Sequence, residues 1–164
     1  MCSQANDGAV GVDFQQPALA AALLRQAGAL ARAGGAAAPL LAGKQLALVT
    51  PDGADAAATA FIEAAKALGA RVSSVRAGLD DASSDEQVDN TARMLGQLYD
   101  AVECQHLPVS LVRRIARSAG IPVFAGLATP AHPTVALVAQ LEGEASLALK
   151  RRSVLQAALL VTLN

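Results

Sequence analysis

Apolar residues recur at helical spacing over residues 17–33, with Leu19, Leu23, Leu24, Ala27 and Leu30 on one stripe and Arg25 and Arg32 off it, and Gly34-Gly35 ends the pattern. A short apolar run at 45–50 (QLALVT) stops at Pro51-Asp52-Gly53, which predicts a buried strand followed by a tight turn. Residues 54–68 predict a helix rich in alanine: Phe61, Ala65 and Leu68 share a face, Asp52 or Asp55 is placed to cap its start, and Gly69 lies just past its end. A second strand is predicted at 71–75, then a polar, acidic loop at 77–86. Helical periodicity resumes at 88–99 through Ala92, Leu95 and Leu98, and a third strand follows at 100–104. Residues 109–119 set Leu111, Val112, Ile115 and Ala119 against Arg113, Arg114 and Arg117, end at Gly120 and lead into a fourth strand at 121–125. Alternating strands and helices joined by short turns predict a three-layer α/β/α fold around a four-stranded parallel sheet. Two helices, 132–141 and 146–163, then follow without a strand between them, so the second must dock on a layer already built. Residues 1–12 read as a flexible N-terminus and 13–164 as a single domain.

The composition narrows the function classes. A chain of 164 residues is about one domain's worth. It is 53% hydrophobic but only 2% aromatic, and alanine makes up roughly a quarter of it, so much of its apolar character is alanine in helices. Thirteen basic against fourteen acidic residues give a net charge of -1, which supplies no field for sequence-independent nucleic-acid binding. The longest apolar runs, at 19–24 and 154–163, are interrupted by Arg25 and Gln156 and fall short of a membrane span, and the N-terminus lacks the pattern of a signal peptide. Cys2 and Cys104 make neither a disulfide framework nor a metal site, which fits a reduced, cytoplasmic setting. Cys104 reads as a small buried hydrophobe, although strand alternation places His106 on the same face and leaves contact between them open. The clusters Asp80-Asp81 and Asp85-Glu86 lack the glycine-pivoted pattern of a calcium loop, and no metal or cofactor is expected. The arginines at 113, 114 and 117 and the Lys150-Arg151-Arg152 run read as solvated helix faces, the latter also as a partner for the acidic loop.

An ordered set of short segments carries a family resemblance. Gly43-Lys44-Gln45-Leu46-Ala47-Leu48-Val49, Phe61 and Ala67-Leu68-Gly69-Ala70 come first. They are followed by Asn90-Thr91-Ala92-Arg93-Met94-Leu95, Tyr99-Asp100-Ala101-Val102, Gly120-Ile121-Pro122-Val123-Phe124-Ala125-Gly126-Leu127 and Ala131-His132-Pro133. In this order and near this spacing they resemble the N-terminal, carbamoyl-phosphate-binding domain of the aspartate/ornithine carbamoyltransferases, over about 13–141. Residues 149–163, beginning Leu149-Lys150-Arg151-Arg152-Ser153-Val154, resemble the helix that closes full-length members after their second domain. Only residues 142–145 separate the two regions, so the resemblance implies a domain whose amino-acid-binding partner domain is missing and whose returning helix is kept. Retention has a physical reason, because loss of that helix would expose apolar core at roughly 25 cal/mol per Å².

The resemblance also implies where ligand contacts would lie. The family holds phosphate with a Ser-Thr-Arg-Thr-Arg loop at the start of a helix, where N–H groups and guanidinium forks meet the anion. Those five positions correspond to Ala54, Asp55, Ala56, Ala57 and Ala58, so both arginines and every hydroxyl are replaced, and a carboxylate stands at the positive end of the helix. The family arginine after the third strand corresponds to Gln105, the threonine after it to His106, and the glutamine of His-Pro-x-x-Gln to Val135. His132 persists; the matching family histidine touches the carbamoyl carbonyl. The stretch 79–85, comparable with a loop that reaches a neighbouring subunit's site, is acidic here.

The implied function is therefore a catalytically inactive carbamoyltransferase-like domain with a structural, regulatory or partner-binding role. Its expected partners are copies of itself, a trimer by family resemblance, or a full-length carbamoyltransferase of the same cell. A second reading is a small-molecule module that uses the old cleft, with Gln105, His106 and His132 as polar contacts. A third is an active ornithine/aspartate carbamoyltransferase completed by another chain.

Overall fold

The computed structural model describes residues 12–34, 38–51 and 55–164. Cys2, Ala54, the alternative cap Asp52 and nearly all of the N-terminal segment lie outside the described residues. The elements run α1 (Pro17–Arg32), β1 (Gln45–Val49), α2 (Ala56–Ala67), β2 (Arg71–Val75), α3 (Asp85–Leu98), β3 (Ala101–Cys104), α4 (Val109–Ala119), β4 (Val123–Ala125), α5 (Val135–Val138) and α6 (Leu147–Leu163).

The four strands are parallel and lie in the order β2-β1-β3-β4. Successive side chains of a strand point to opposite faces, so each strand feeds two cores. Leu46 and Leu48 of β1 pack with Leu23 and Ala27 of α1, Phe61 of α2 and Ala157 to Leu160 of α6. Ala47 and Val49 pack instead with Val88, Ala92 and Leu95 of α3 and with Leu111, Val112 and Ile115 of α4. The result is the expected three-layer α/β/α arrangement. Helix α6 lies along α1 and is tied to α2 by Gln156, whose Nε2 donates to the Ala64 carbonyl at 3.3 Å.

The fourth strand is shorter than expected, at Val123–Ala125, and two helices differ further. Helix α3 begins three residues before the periodicity at Val88, because Ser84 and Gln87 form a reciprocal capping box: Ser84 Oγ accepts from the Gln87 N–H at 3.1 Å and Gln87 Oε1 from the Ser84 N–H at 2.9 Å. The helix expected over 132–141 is reduced to the single turn of α5. Its surroundings are held by three-residue bonds such as Val135 N–H to His132 O and Leu141 N–H to Val138 O. Pro133 has no N–H to give, and the β-branched Thr134, Val135 and Val138 are poor helix formers.

Candidate functional site

Ligands of open parallel sheets bind beyond the C-terminal ends of the strands, where successive crossovers diverge. In this fold that point lies between β1 and β3, and it brings together residues from three segments: the start of α2, the residues after β3, and the loop after β4.

Asp55 is the N-cap of α2, with extended backbone (φ -116°, ψ -171°), and its Oδ1 accepts from the Ala58 N–H at 2.9 Å. Its other oxygen, Oδ2, lies 2.5 Å from His106 Nε2, with both side chains 44% exposed. The Ala58 N–H, then His106, hold the Asp55 carboxyl below its usual range. His106 reaches it only because its backbone is left-handed, at φ 58°, the sole positive φ of a non-glycine among the described residues. That turn breaks strand alternation, so His106 faces Asp55, while Cys104 is buried against α3 and α4 with its thiol pushed up to about 12 by desolvation and by Glu103. The contact between Cys104 and His106 that alternation left open is thereby replaced by the Asp55 pair.

Gln105 is fully buried and does not line the cleft. Its Nε2 donates to the Ala57 carbonyl at 3.2 Å and to Glu103 Oε2 at 3.3 Å. Beneath it, Glu103 accepts from the N–H groups of Leu127 at 2.9 Å and Ala128 at 3.0 Å, which fixes the loop after β4. Burial pushes the Glu103 carboxyl up to about 7 against the pull of these donors. Sequence reasoning missed Glu103; its signal was a lone acid inside the apolar run Ala101-Val102-Glu103-Cys104.

His132 also stands apart. Its Nδ1 accepts from the Thr134 N–H at 3.2 Å, its ring meets Phe14 edge-on at 5.8 Å, and burial lowers its pKa to about 4, so it is neutral near pH 7. The second reading's trio is therefore divided: His106 lines the cleft, whereas Gln105 and His132 do not. Of the positions the resemblance implied for a phosphate loop, Asp55, Ala56 and Ala57 line it, and Ala58 is buried in the core. Val135 lies on its wall, 41% exposed.

The cleft itself has a volume of about 990 Å³ and runs from the Asp55–His106 corner between α2, α5 and α6. Arg151 and Arg152 line its α6 wall. They do not partner the acidic loop, which is held instead by α4: Arg114 donates to the Ser83 carbonyl at 2.6 Å and pairs with Asp85 at 3.1 Å, and Ser110 Oγ donates to Asp81 at 2.6 Å. The expectation that Lys150-Arg151-Arg152 would meet this loop is corrected, since Lys150 reaches the Leu141 carbonyl at 3.1 Å. Among the described residues no group of three or more His, Cys, Asp or Glu is placed to hold a metal ion, and no helix is long and apolar enough to cross a membrane.

Comparison with known proteins agrees with this architecture. Residues 12–141 match the family described as aspartate/ornithine carbamoyltransferase, carbamoyl-P binding domain. The ornithine carbamoyltransferase of Cutibacterium acnes is 38% identical over 96 residues, 58% of this chain and 29% of the relative. Among solved structures, ornithine carbamoyltransferase from Thermus thermophilus superposes with a TM-score of 0.64 at 27% identity, covering 78% of this chain and 45% of that one. The enzyme from Gloeobacter violaceus gives 0.57 at 30% identity over 74% and 39%. The chain thus spans under half the length of these relatives. With the parallel sheet, the β1–β3 cleft and this match over most of its length, the chain belongs to the aspartate/ornithine carbamoyltransferase family, in its carbamoyl-phosphate-binding domain.

Proposed function

We propose that this chain is a carbamoyltransferase-family domain that does not itself transfer carbamoyl groups and acts as a structural, regulatory or partner-binding module. The observation that carries this reading is the Asp55–His106 pair. In place of guanidinium forks, the start of α2 has a carboxylate that satisfies a helix N–H itself and repels a dianion. Each charge-assisted hydrogen bond lost contributes roughly 1.5–3 kcal/mol, so several losses together remove useful affinity for carbamoyl phosphate.

The direct test is turnover of carbamoyl phosphate with ornithine or aspartate, combined with thermal unfolding in millimolar carbamoyl phosphate or inorganic phosphate. No turnover and an unchanged midpoint are expected. A ligand at about 100 times its dissociation constant stabilises by roughly 2.7 kcal/mol, so a rise of several degrees, or turnover above background, overturns the reading.

Residues 13–164 form one domain in this reading, with α6 as the cover that full-length relatives supply after their second domain. The domain is cytoplasmic and assembles with copies of itself, as a trimer, or with a full-length carbamoyltransferase. Light scattering checks the first form of assembly, and co-purification checks the second. The cleft of about 990 Å³ favours a further role for the same domain as a small-molecule module, with His106 as a polar contact.

A further inference from the structure

The cleft extends well beyond the Asp55–His106 corner, and its chemistry changes along the way. Buried Val138 and Leu155 form part of its floor, and Leu149 lies on the α6 wall. Besides His106, its charged lining residues are Asp55, Glu63, Arg151 and Arg152. Asp55 is engaged by His106 and by the Ala58 N–H. The side chains of Glu63, Arg151 and Arg152 make no hydrogen bond or ion pair among the described residues. Outside the Asp55–His106 pair, two unengaged cations against one unengaged anion leave a local surplus of one positive charge beside an apolar floor.

That combination selects a ligand class. An inorganic dianion matches neither the single surplus charge nor the apolar floor. A cationic amphiphile meets the floor but is repelled by the arginines. A monocarboxylate with an apolar body satisfies both, because guanidinium forks match a carboxylate and the body removes apolar surface from water. The volume lies at the upper end of the roughly 300–1,000 Å³ common for small-molecule sites.

We propose that this cleft binds an amphiphilic monocarboxylic acid, its carboxylate held by Arg151 and Arg152 and its apolar body laid over Leu149, Val138 and Leu155. The proposal rests on the reading of the cleft as a small-molecule site and names its ligand.

Octanoate is the probe, titrated into the full chain by calorimetry and followed by thermal unfolding, with octylamine, acetate and carbamoyl phosphate run in parallel. Octanoate is expected to bind and raise the midpoint, and octylamine and acetate to do neither. The double variant Arg151→Glu/Arg152→Glu should lose at least tenfold in octanoate affinity while unfolding near the wild-type midpoint, since both side chains are exposed. If charge reversal disturbs α6, the neutral pair Arg151→Gln/Arg152→Gln carries the same expectation. Ala60→Phe, which places a ring in the cleft from an exposed position on α2, should also abolish binding. Octylamine or acetate binding as well as octanoate, undiminished affinity in the variants, or no octanoate binding up to millimolar concentration each overturn the proposal. Carbamoyl phosphate binding counts against the inactive-domain reading alone, and failure of octanoate counts against this proposal alone.

Discussion

The two faces of the sheet have opposite characters, and a single strand shows it. Along β3, Val102 and Cys104 turn toward α3 and α4, where the core is apolar and closed. Ala101 packs on the other face, and Glu103, two residues on, shares its side. On that open face, between the sheet and α1, α2 and α6, the buried polar groups Glu103, Gln105, Ser153 and Gln156 collect, and the cleft opens. One face therefore has a core of close-packed apolar groups with its polar bonds at the rim, while the other gives up some close packing to hold buried polar groups and a cleft.

The sharpest way to break the closed face is at Gly96. A Cβ placed there would stand 1.9 Å from the Ala119 carbonyl oxygen, so α3 and α4 approach at a distance only glycine permits. Gly96→Val should cost about 3 kcal/mol, by forcing the two helices apart or displacing the end of α4. Chemical denaturation reads this directly. A loss below about 1 kcal/mol would mean that the α3–α4 layer is compliant and the contrast between the faces is overstated.

The open face is tested by pH, because its two most strongly perturbed groups oppose each other. The Glu103 pKa is raised from 4.5 to about 7 in the folded chain, so the folded state binds more protons over that interval and stability falls as pH rises through it. The full effect is on the order of 3 kcal/mol. The His132 pKa is lowered from 6.5 to about 4, so the unfolded state binds more protons there and stability falls as pH drops through that window. Between pH 4.5 and 6.5 the two slopes have opposite signs, and the wild-type stability should be nearly flat. Glu103→Gln should expose the histidine, giving steady loss on acidification, and His132→Gln should expose the carboxyl, giving gain on acidification. Identical pH profiles for wild type and Glu103→Gln would remove Glu103 as a buried titrating group.

The same division explains what the sequence reveals and what it hides. The strands and long helices are legible because their apolar periods match the two cores: β1 reads as a continuous apolar run since Leu46, Ala47, Leu48 and Val49 are all buried, on alternate sides. The Asp55–His106 pair is not legible, because it joins residues 51 positions apart and depends on a left-handed backbone at His106 that strand alternation does not anticipate. Gln105 and His132 illustrate the same limit. The small-molecule reading placed both in the cleft, but burial under α2 and packing on Phe14 keep them off its lining.

Asp55 tests whether its carboxylate works as a cap or as a charge. Asp55→Ala removes both the acceptor for the Ala58 N–H and the His106 partner, and should lower the unfolding midpoint by a few degrees. Asp55→Asn keeps a good cap and removes only the charge, and should unfold close to wild type. If Asp55→Asn loses as much as Asp55→Ala, the ion pair with His106 dominates over the cap. The left-handed turn at His106 would then depend on that pair.

The smallest effect is expected at the rim of the closed face. Arg114 bonds the Ser83 carbonyl and the exposed Asp85, and so ties the acidic loop to α4. Asp85 carries a side chain that is 94% exposed, so solvent screens the pair and it contributes under about 1 kcal/mol. Arg114→Ala should leave global stability almost unchanged. It should, however, release the loop locally, because Ser110 alone then holds Asp81. Hydrogen exchange resolves the two scales: faster exchange confined to residues 79–84 is expected, with α3 and α4 unaffected beyond their ends. Exchange that spreads through the α3–α4 core would show instead that the loop clamp supports the packing at Gly96, and that the closed face depends on its polar rim.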